Sequence, residues 1–356
     1  MKQIRVFQIG CGKMSKYIMK YVYDKNGEIV GAVDVDPQVI GLDIGKIMET
    51  EKKGVKIEDV SLLDELLKQT KPDIAVVTTR SFLNDIANEV RICVCNNVHV
   101  ITTCEEAFFA ENSNPQLFFE LDALAKAHHV SIVGAGYQDI FWGNMIYSVC
   151  TSMARITKIK GRSSYNVEDY GIALAQAHGA GLTSAQFEKD IAATNDLTEE
   201  ERKKKMEERA FFPSYMWNVV GWLAEKLHLH INTISQKCVP VLTDKELQSD
   251  TLNMTLMPGM VRGMNAIVTA TTKENILLEI ECIGKVYTKD EEDINEWTIF
   301  GEPTTVVKND KPETVLLTCA DVVNRIPQVL KAKSGFITTV ALGEPIFVLN
   351  DFNNYL

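Results

Sequence analysis

One short segment constrains the fold of this chain more than any other: Ile9-Gly10-Cys11-Gly12-Lys13-Met14-Ser15. An apolar run, residues 4–9, precedes it, and residues 13–24 carry a helical pattern. A strand that turns at once into a helix needs glycine where the backbone bends tightly. A second glycine lets the backbone approach an anion at the helix N-terminus. The third small position, Ser15, departs from the usual Gly or Ala. By itself this pattern also suits a purely structural turn.

The surrounding pattern narrows the choice. Strand signals at 28–35, 73–78, 98–102 and 130–133 alternate with helical signals at 61–69, 84–95 and 115–128. In the first of these helices Leu62, Leu63, Leu66 and Leu67 form the apolar stripe. Strands apolar throughout and separated by helices indicate a parallel sheet covered on both faces. In that frame Gly10, Gly12, Lys13, Met14 and Ser15 form a dinucleotide turn. Asp34, at the end of the second strand and 24 residues after Gly10, is placed to accept ribose hydroxyls. Asp34 and Asp36 repel the extra phosphate of NADP, and residues 35–45 contain no Lys or Arg. NAD is the preferred cofactor, with NADP possible. Thr78, Thr79, Arg80, Thr103 and Gly136 follow later strand ends and line the same cofactor.

The alternation stops near Gly134. A strand is expected at 156–165, helices over 182–229, and strands at 261–270, 275–286, 296–300 and 314–319. The charged piece 199–209 reads as a solvated helix face. A helix at about 320–330 is expected to dock back on the first domain. The fold class is α/β: a Rossmann-type parallel-sheet domain with a second α+β domain containing an open, largely antiparallel sheet. The limits are 1–134 for the dinucleotide-binding domain, 135–319 for the substrate-binding and dimerisation domain, and 320–356 for the returning C-terminal segment.

Composition removes other classes. The 356 residues carry a net charge of -11, which gives no global attraction to nucleic acid. No stretch of 18 apolar residues marks a membrane span, and the first residues do not read as a signal peptide. The eight cysteines form no CxxC pair, so structural zinc and a disulfide framework are not expected and a cytoplasmic, reducing setting is.

Two stretches carry chemistry. Thr102-Thr103-Cys104-Glu105-Glu106 follows a strand end; its acidic pair reads as a helix start, and one carboxylate can cap while the other reaches the substrate. Cys104 has no identifiable histidine partner and reads as packed. Gly134-Ala135-Gly136-Tyr137-Gln138-Asp139-Ile140-Phe141-Trp142-Gly143 begins at another strand end. Its aromatics read as core or as a pocket wall, and Tyr170 is a further pocket candidate.

With His178-Gly179-Ala180-Gly181-Leu182-Thr183, Phe187, Asn324-Arg325-Ile326-Pro327 and Gly335, these segments resemble the family of 2,4-diaminopentanoate dehydrogenases and related native amine dehydrogenases. The resemblance spans nearly the whole chain and implies a nucleotide domain of the dihydrodipicolinate reductase type. It implies that Glu105 is the catalytic acid–base residue and that Tyr137, Gln138, Phe141, Trp142 and Tyr170 shape a small pocket. It also implies NAD(P)-dependent, reversible oxidative deamination of 2,4-diaminopentanoate at C4 to 2-amino-4-oxopentanoate and ammonia, in ornithine fermentation. A homodimer joined through the second domain's sheet is implied too, with a small amine or diamino acid as the other partner and no metal. Arg162, Lys160, Arg262, His178 and Asn324 remain open as groups that grip the rest of the substrate. The rivals are a dihydrodipicolinate reductase or sugar oxidoreductase on the same frame, and a non-enzymatic NAD sensor. The motifs expected of the first two are missing: Cys104-Glu105-Glu106-Ala107 lacks the lysine of a Glu-Lys-Pro segment, and His128-His129 runs into Val130-Ser131.

Overall fold

The computed structural model describes residues 3–356, apart from the side chains of Tyr170 and Ala173. The strands among them are β1 (Arg5–Ile9), β2 (Glu28–Asp34), β3 (Ile57–Asp59), β4 (Ile74–Val77), β5 (His99–Thr102), β6 (Ser131–Gly134) and β7 (Arg155–Asn166). They continue as β8 (Ile231–Leu242), β9 (Leu247–Ser249), β10 (Met254–Leu256), β11 (Val261–Thr272), β12 (Leu277–Lys285), β13 (Ile294–Glu302), β14 (Thr305–Asp310) and β15 (Gly335–Phe336). The chain forms two compact units, one running to Asn144 and resuming over Glu313–Leu356, the other Met145–Pro312. The passages thus fall after Asn144 and before Glu313, and not at 134 and 320, because the aromatic segment and the start of the last helix belong to the first unit.

The first unit is built on a parallel sheet of order β15-β6-β5-β4-β1-β2-β3. Alternate side chains feed opposite cores, as the two-residue strand period demands. Phe7, Ile9, Ala75 and Val77 meet the helices Leu63–Thr70, Leu83–Cys95 and Pro115–Ala127. Ile4, Val6, Ile74 and Val76 meet Lys13–Asp24 and Thr314–Lys331. Both faces are covered, and the strand order reverses at β1, where ligands bind in such sheets.

The second unit has a six-stranded sheet of order β14-β13-β7-β12-β11-β8. Only the β7–β12 pair is parallel. One face buries Trp297 and Ile159 and packs the helix Tyr215–Lys226 against β11 and β12. The other carries charges, with Lys160 bridging Glu279 and Glu281.

Three sequence expectations change. The strand expected at 314–319 is the first part of the helix Thr314–Lys331. A short apolar run does not distinguish the two forms; here Cys319, Val322, Val323, Ile326 and Val329 are buried at helical spacing. The region 182–229 is not one helical block; it breaks into Ser184–Phe187, a wide-turn stretch Glu188–Ala192, Ala193–Asn195, Glu199–Glu207 and Tyr215–Lys226. Strand β8 was not expected; it lies at the sheet edge, where Pro240 is tolerated. Among the described residues no helix is long and apolar enough to cross a membrane.

Candidate active site

The carboxyl ends of five neighbouring strands in the first unit are laced together by four bonds beyond their ladders. Gly10 N–H donates to the Val33 carbonyl at 2.9 Å, Thr78 N–H to Ile9 at 2.9 Å, Thr103 N–H to Val77 at 3.1 Å and Ala135 N–H to Thr102 at 3.0 Å. The glycine turn, the 78–81 loop, the glutamate pair and the aromatic segment therefore emerge side by side on one sheet edge.

The turn fits a dinucleotide. Gly10 has φ of +86°, and a Cβ there would stand 2.7 Å from Thr79 Cγ2, so glycine is required on both counts. A Cβ on Gly12 would meet nothing within 4 Å, and no side chain caps the helix that begins at Lys13. Its N-terminus thus presents free N–H groups to open space, which suits a pyrophosphate. Ser15 is buried and donates to the Gly12 carbonyl at 2.7 Å, so its hydroxyl is satisfied inside the turn. Lys13, Thr79 and Arg80 are exposed, while Met14 is half-buried. Thr78 donates to the Gly10 carbonyl at 3.0 Å.

Asp34 does more than the sequence indicated. Its carboxylate accepts the N–H groups of Cys11 at 2.5 Å, Val35 at 2.7 Å and Asp36 at 2.8 Å. It ties the glycine turn to the end of β2 while remaining half-exposed. Gln8, buried within β1, supports the turn from below, its amide donating to the Gly10 carbonyl at 2.8 Å and the Thr78 hydroxyl at 2.9 Å. Sequence reasoning passed over Gln8, although a polar residue in an otherwise apolar strand was the available signal.

The two glutamates have separate surroundings. Glu106 is buried, and its carboxylate accepts the Leu83 N–H at 2.6 Å and the Ser113 hydroxyl at 2.8 Å. Glu105 is half-buried, and its carboxyl is hydrogen-bonded by Ser81. Burial pushes the Glu105 carboxyl above the usual range, opposed by its own backbone N–H and by Ser81. Cys104 is fully buried, donates to the Ser81 carbonyl at 3.1 Å, and is held protonated well above the ordinary thiol value by desolvation and Glu105. It has no access to act as a nucleophile.

The aromatic segment starts against the glutamate turn. A Cβ on Gly134 would lie 2.3 Å from the Ala107 carbonyl carbon, so the two backbones touch only because residue 134 is glycine. Tyr137 is buried, stacks on Phe141 with centroids 4.5 Å apart, and meets Trp142 edge-on at 5.7 Å. Phe141 and Trp142 are half-buried, the former stacked on Tyr137 and the latter at its edge. Gln138 turns back on its own segment, donating to the Ala135 carbonyl at 3.3 Å. Gly136 N–H donates to Asp321 at 2.9 Å. Asn324 accepts the Val348 N–H at 3.1 Å and so ties down the C-terminal segment.

Arg162 and His178 belong to the second unit. His178 is buried with both ring nitrogens engaged, Nδ1 by the Leu174 carbonyl at 2.8 Å and Nε2 by the Tyr165 hydroxyl at 2.6 Å. Burial lowers its pKa, and a neutral ring that donates from Nδ1 and accepts at Nε2 satisfies both partners. Arg162 is exposed on β7, in register with Glu281 of β12 and Glu296 of β13. The Tyr170 side chain lies outside the described residues.

The 2,4-diaminopentanoate dehydrogenase C-terminal domain model matches residues 141–356. The chain belongs to the 2,4-diaminopentanoate dehydrogenase family. It is similar to 2,4-diaminopentanoate dehydrogenase of Acetoanaerobium sticklandii, 22% identical over 367 residues that cover 100% of this chain and 98% of that one. An amine dehydrogenase structure from Mycobacterium smegmatis matches with a TM-score of 0.84 and 34% identity, covering 97% of this chain and 98% of the other. A dihydrodipicolinate reductase from Paenisporosarcina sp. TG-14, at 14% identity and a TM-score of 0.50 over 94% of this chain and 97% of that one, shares the fold. A member of this family is an enzyme of the dehydrogenase class.

Proposed function

We propose that the protein catalyses nicotinamide-dependent oxidative deamination of a small amine, with 2,4-diaminopentanoate attacked at C4 as the substrate of first choice and NAD preferred over NADP. The observation that carries this reading is Glu105: a half-buried carboxyl with a raised pKa on the same sheet edge as the glycine turn, its neighbour Glu106 being fully committed to Leu83 and Ser113. Gly10, Gly12, Ser15 and Asp34 would hold the dinucleotide. Nicotinamide, when bound, accepts the hydride from the amine-bearing carbon.

The remaining steps are proton transfers at nitrogen and oxygen. Glu105 as carboxylate takes a proton from the substrate ammonium and frees the amine lone pair. Glu105 passes that proton to solvent; once the hydride has left, water adds to the iminium carbon and gives a proton to the regenerated carboxylate. Glu105 then returns a proton to the carbinolamine nitrogen, ammonia departs, and the ketone forms. Per turnover one ammonium substrate, one oxidised cofactor and one water yield ketone, ammonium, the reduced cofactor and one proton. A carboxyl with a raised pKa suits a group that must both take and give a proton. Tyr137, Phe141 and Trp142 supply an apolar wall that orders a small substrate and limits water.

The proposal includes a homodimer through the second unit's sheet, whose β13 and β14 expose Phe300 and Val306. It also includes a cytoplasmic setting, in keeping with eight free cysteines, seven of them buried. The test is formation of the reduced cofactor with NAD and with NADP across 2,4-diaminopentanoate, simple amines and α-amino acids. Amine oxidation that releases a ketone and ammonia supports the reading; the absence of turnover with every amine contradicts it.

A further inference from the structure

Asp139 and Arg325 stand 186 residues apart in sequence and form an ion pair with 0% exposure of either side chain. Arg325 Nε and Nη2 both lie 2.7 Å from Asp139 Oδ2. Asp139 Oδ1 accepts the Asn144 amide at 2.9 Å, and that amide also donates to the Asp139 carbonyl at 2.9 Å. Arg325 Nη1 donates to Gln328 at 2.8 Å and to the Gly343 carbonyl at 3.2 Å. Two further bonds run in parallel: Gly136 N–H to Asp321 and Tyr137 N–H to Thr318 Oγ1 at 3.2 Å. The segment that carries Tyr137, Phe141 and Trp142 is thus fastened to one face of the helix Thr314–Lys331 through Gly136, Tyr137 and Asp139, and Asn144 is tied back to Asp139 beyond the two outer aromatics. From Asp139 to Asn144 it takes a wide-turn π-helical form, a rare geometry that is frequent at functional sites.

A buried ion pair is a poor way to gain stability, since apolar residues of like volume do as well or better. What such a pair supplies is register. We propose that Asp139–Arg325 is the positioning pair of the aromatic wall, fixing where Phe141 and Trp142 stand against Tyr137 and thereby setting the size of amine the pocket accepts. The inference rests on the amine dehydrogenase reading for its substrate. Neither residue touches substrate in this account; both act through the aromatics.

Asp321 makes the pair testable. Burial and the nearby Asp139 push the Asp321 carboxyl well above the usual range, while Arg325 and the Gly136 N–H oppose the shift. In Asp139→Asn the Arg325 charge keeps a carboxyl neighbour that can ionise, so the variant retains a counter-ion. Arg325→Lys keeps the charge and removes the planar fork, and serves as the second variant. Trp142→Phe identifies the part of the near-ultraviolet circular dichroism that arises from the Tyr137–Trp142 contact.

In folded Asp139→Asn and Arg325→Lys, kcat/KM for the preferred amine falls about 10- to 100-fold, with most of the loss in KM. Preference shifts toward bulkier amines, NAD affinity stays within about twofold on the same argument, and the band lost in Trp142→Phe is altered. A merely structural pair lowers Tm but leaves KM, amine preference and that band unchanged in the folded variants; this result overturns the inference. If the wild-type protein oxidises no amine, the proposed function fails. The near-ultraviolet band then decides the positioning role on its own, a changed band upholding it and an unchanged band overturning it.

Discussion

The carboxylate of Glu106 accepts the main-chain N–H of Leu83, the first residue of the helix Leu83–Cys95, at 2.6 Å. It caps a neighbouring helix and not the turn on which it sits, and the Ser113 hydroxyl fills its other oxygen. Glu105, one residue earlier, has its carboxyl bonded by Ser81 and only half-buried. These contacts commit the Glu106 carboxylate to the fold, and the proposed proton exchange is assigned to Glu105.

Glu106→Ala removes a cap and leaves a buried N–H and hydroxyl without their acceptor. The expected loss of stability is about 1–3 kcal/mol, read as a lower midpoint in denaturant with an unchanged slope. Catalysis by the folded fraction should remain close to wild type. A stable Glu106→Ala protein that has lost turnover contradicts the capping role.

The raised pKa of Glu105 gives a signed prediction for stability. A carboxyl held above its ordinary 4.5 favours the folded state most below that value, and this contribution is lost as pH rises through the folded pKa. Glu105→Gln should therefore melt higher than wild type at neutral pH, while the difference closes on acidification toward 4.5. Thermal melts over that pH range check it; a Gln variant less stable than wild type at neutral pH points the other way.

Asp34→Ala should narrow the NAD advantage over NADP, because the repulsion of the extra phosphate is lifted. It should also weaken NAD itself, since the N–H groups of Cys11, Val35 and Asp36 lose their acceptor and the glycine turn loosens. Comparing kcat/KM for both cofactors separates the two effects. An undiminished NAD preference would remove Asp34 from cofactor selection.

Much of the first unit was legible because its determinants are local. The glycine turn, the strands apolar throughout and Asp34 all declare themselves within a window of a few residues, as does the pairing of Glu105 with Glu106. What stayed hidden depends on partners remote in sequence. Nothing near Asp139 foretells Arg325, nothing near Glu106 names Leu83, and the burial that makes residues 314–319 helical becomes visible only once the helix lies on the sheet. Gln8 shows the intermediate case: its polarity was visible, but its bonds to Gly10 and Thr78 required the folded turn.

Tyr137 and Trp142 should separate core from pocket. Tyr137 is buried, and Tyr137→Ala should cost about 3–5 kcal/mol. Trp142 is half-buried, so Trp142→Ala should cost less and yield a folded protein that accepts bulkier amines at reduced efficiency on the native one. Retention of full activity and selectivity by that variant would make the cluster core alone.

The central claim is proton transfer by Glu105 in amine oxidation, and the most direct measurement is turnover of Glu105→Gln saturated with NAD, beside Glu106→Gln. The account predicts a loss of about 10²–10⁴-fold in kcat for Glu105→Gln in both reaction directions. The pH limb assigned to the carboxyl disappears, NAD binding by calorimetry is little changed, and Glu106→Gln loses far less. Near-wild-type turnover by folded Glu105→Gln, with the loss falling on Glu106→Gln, would contradict it.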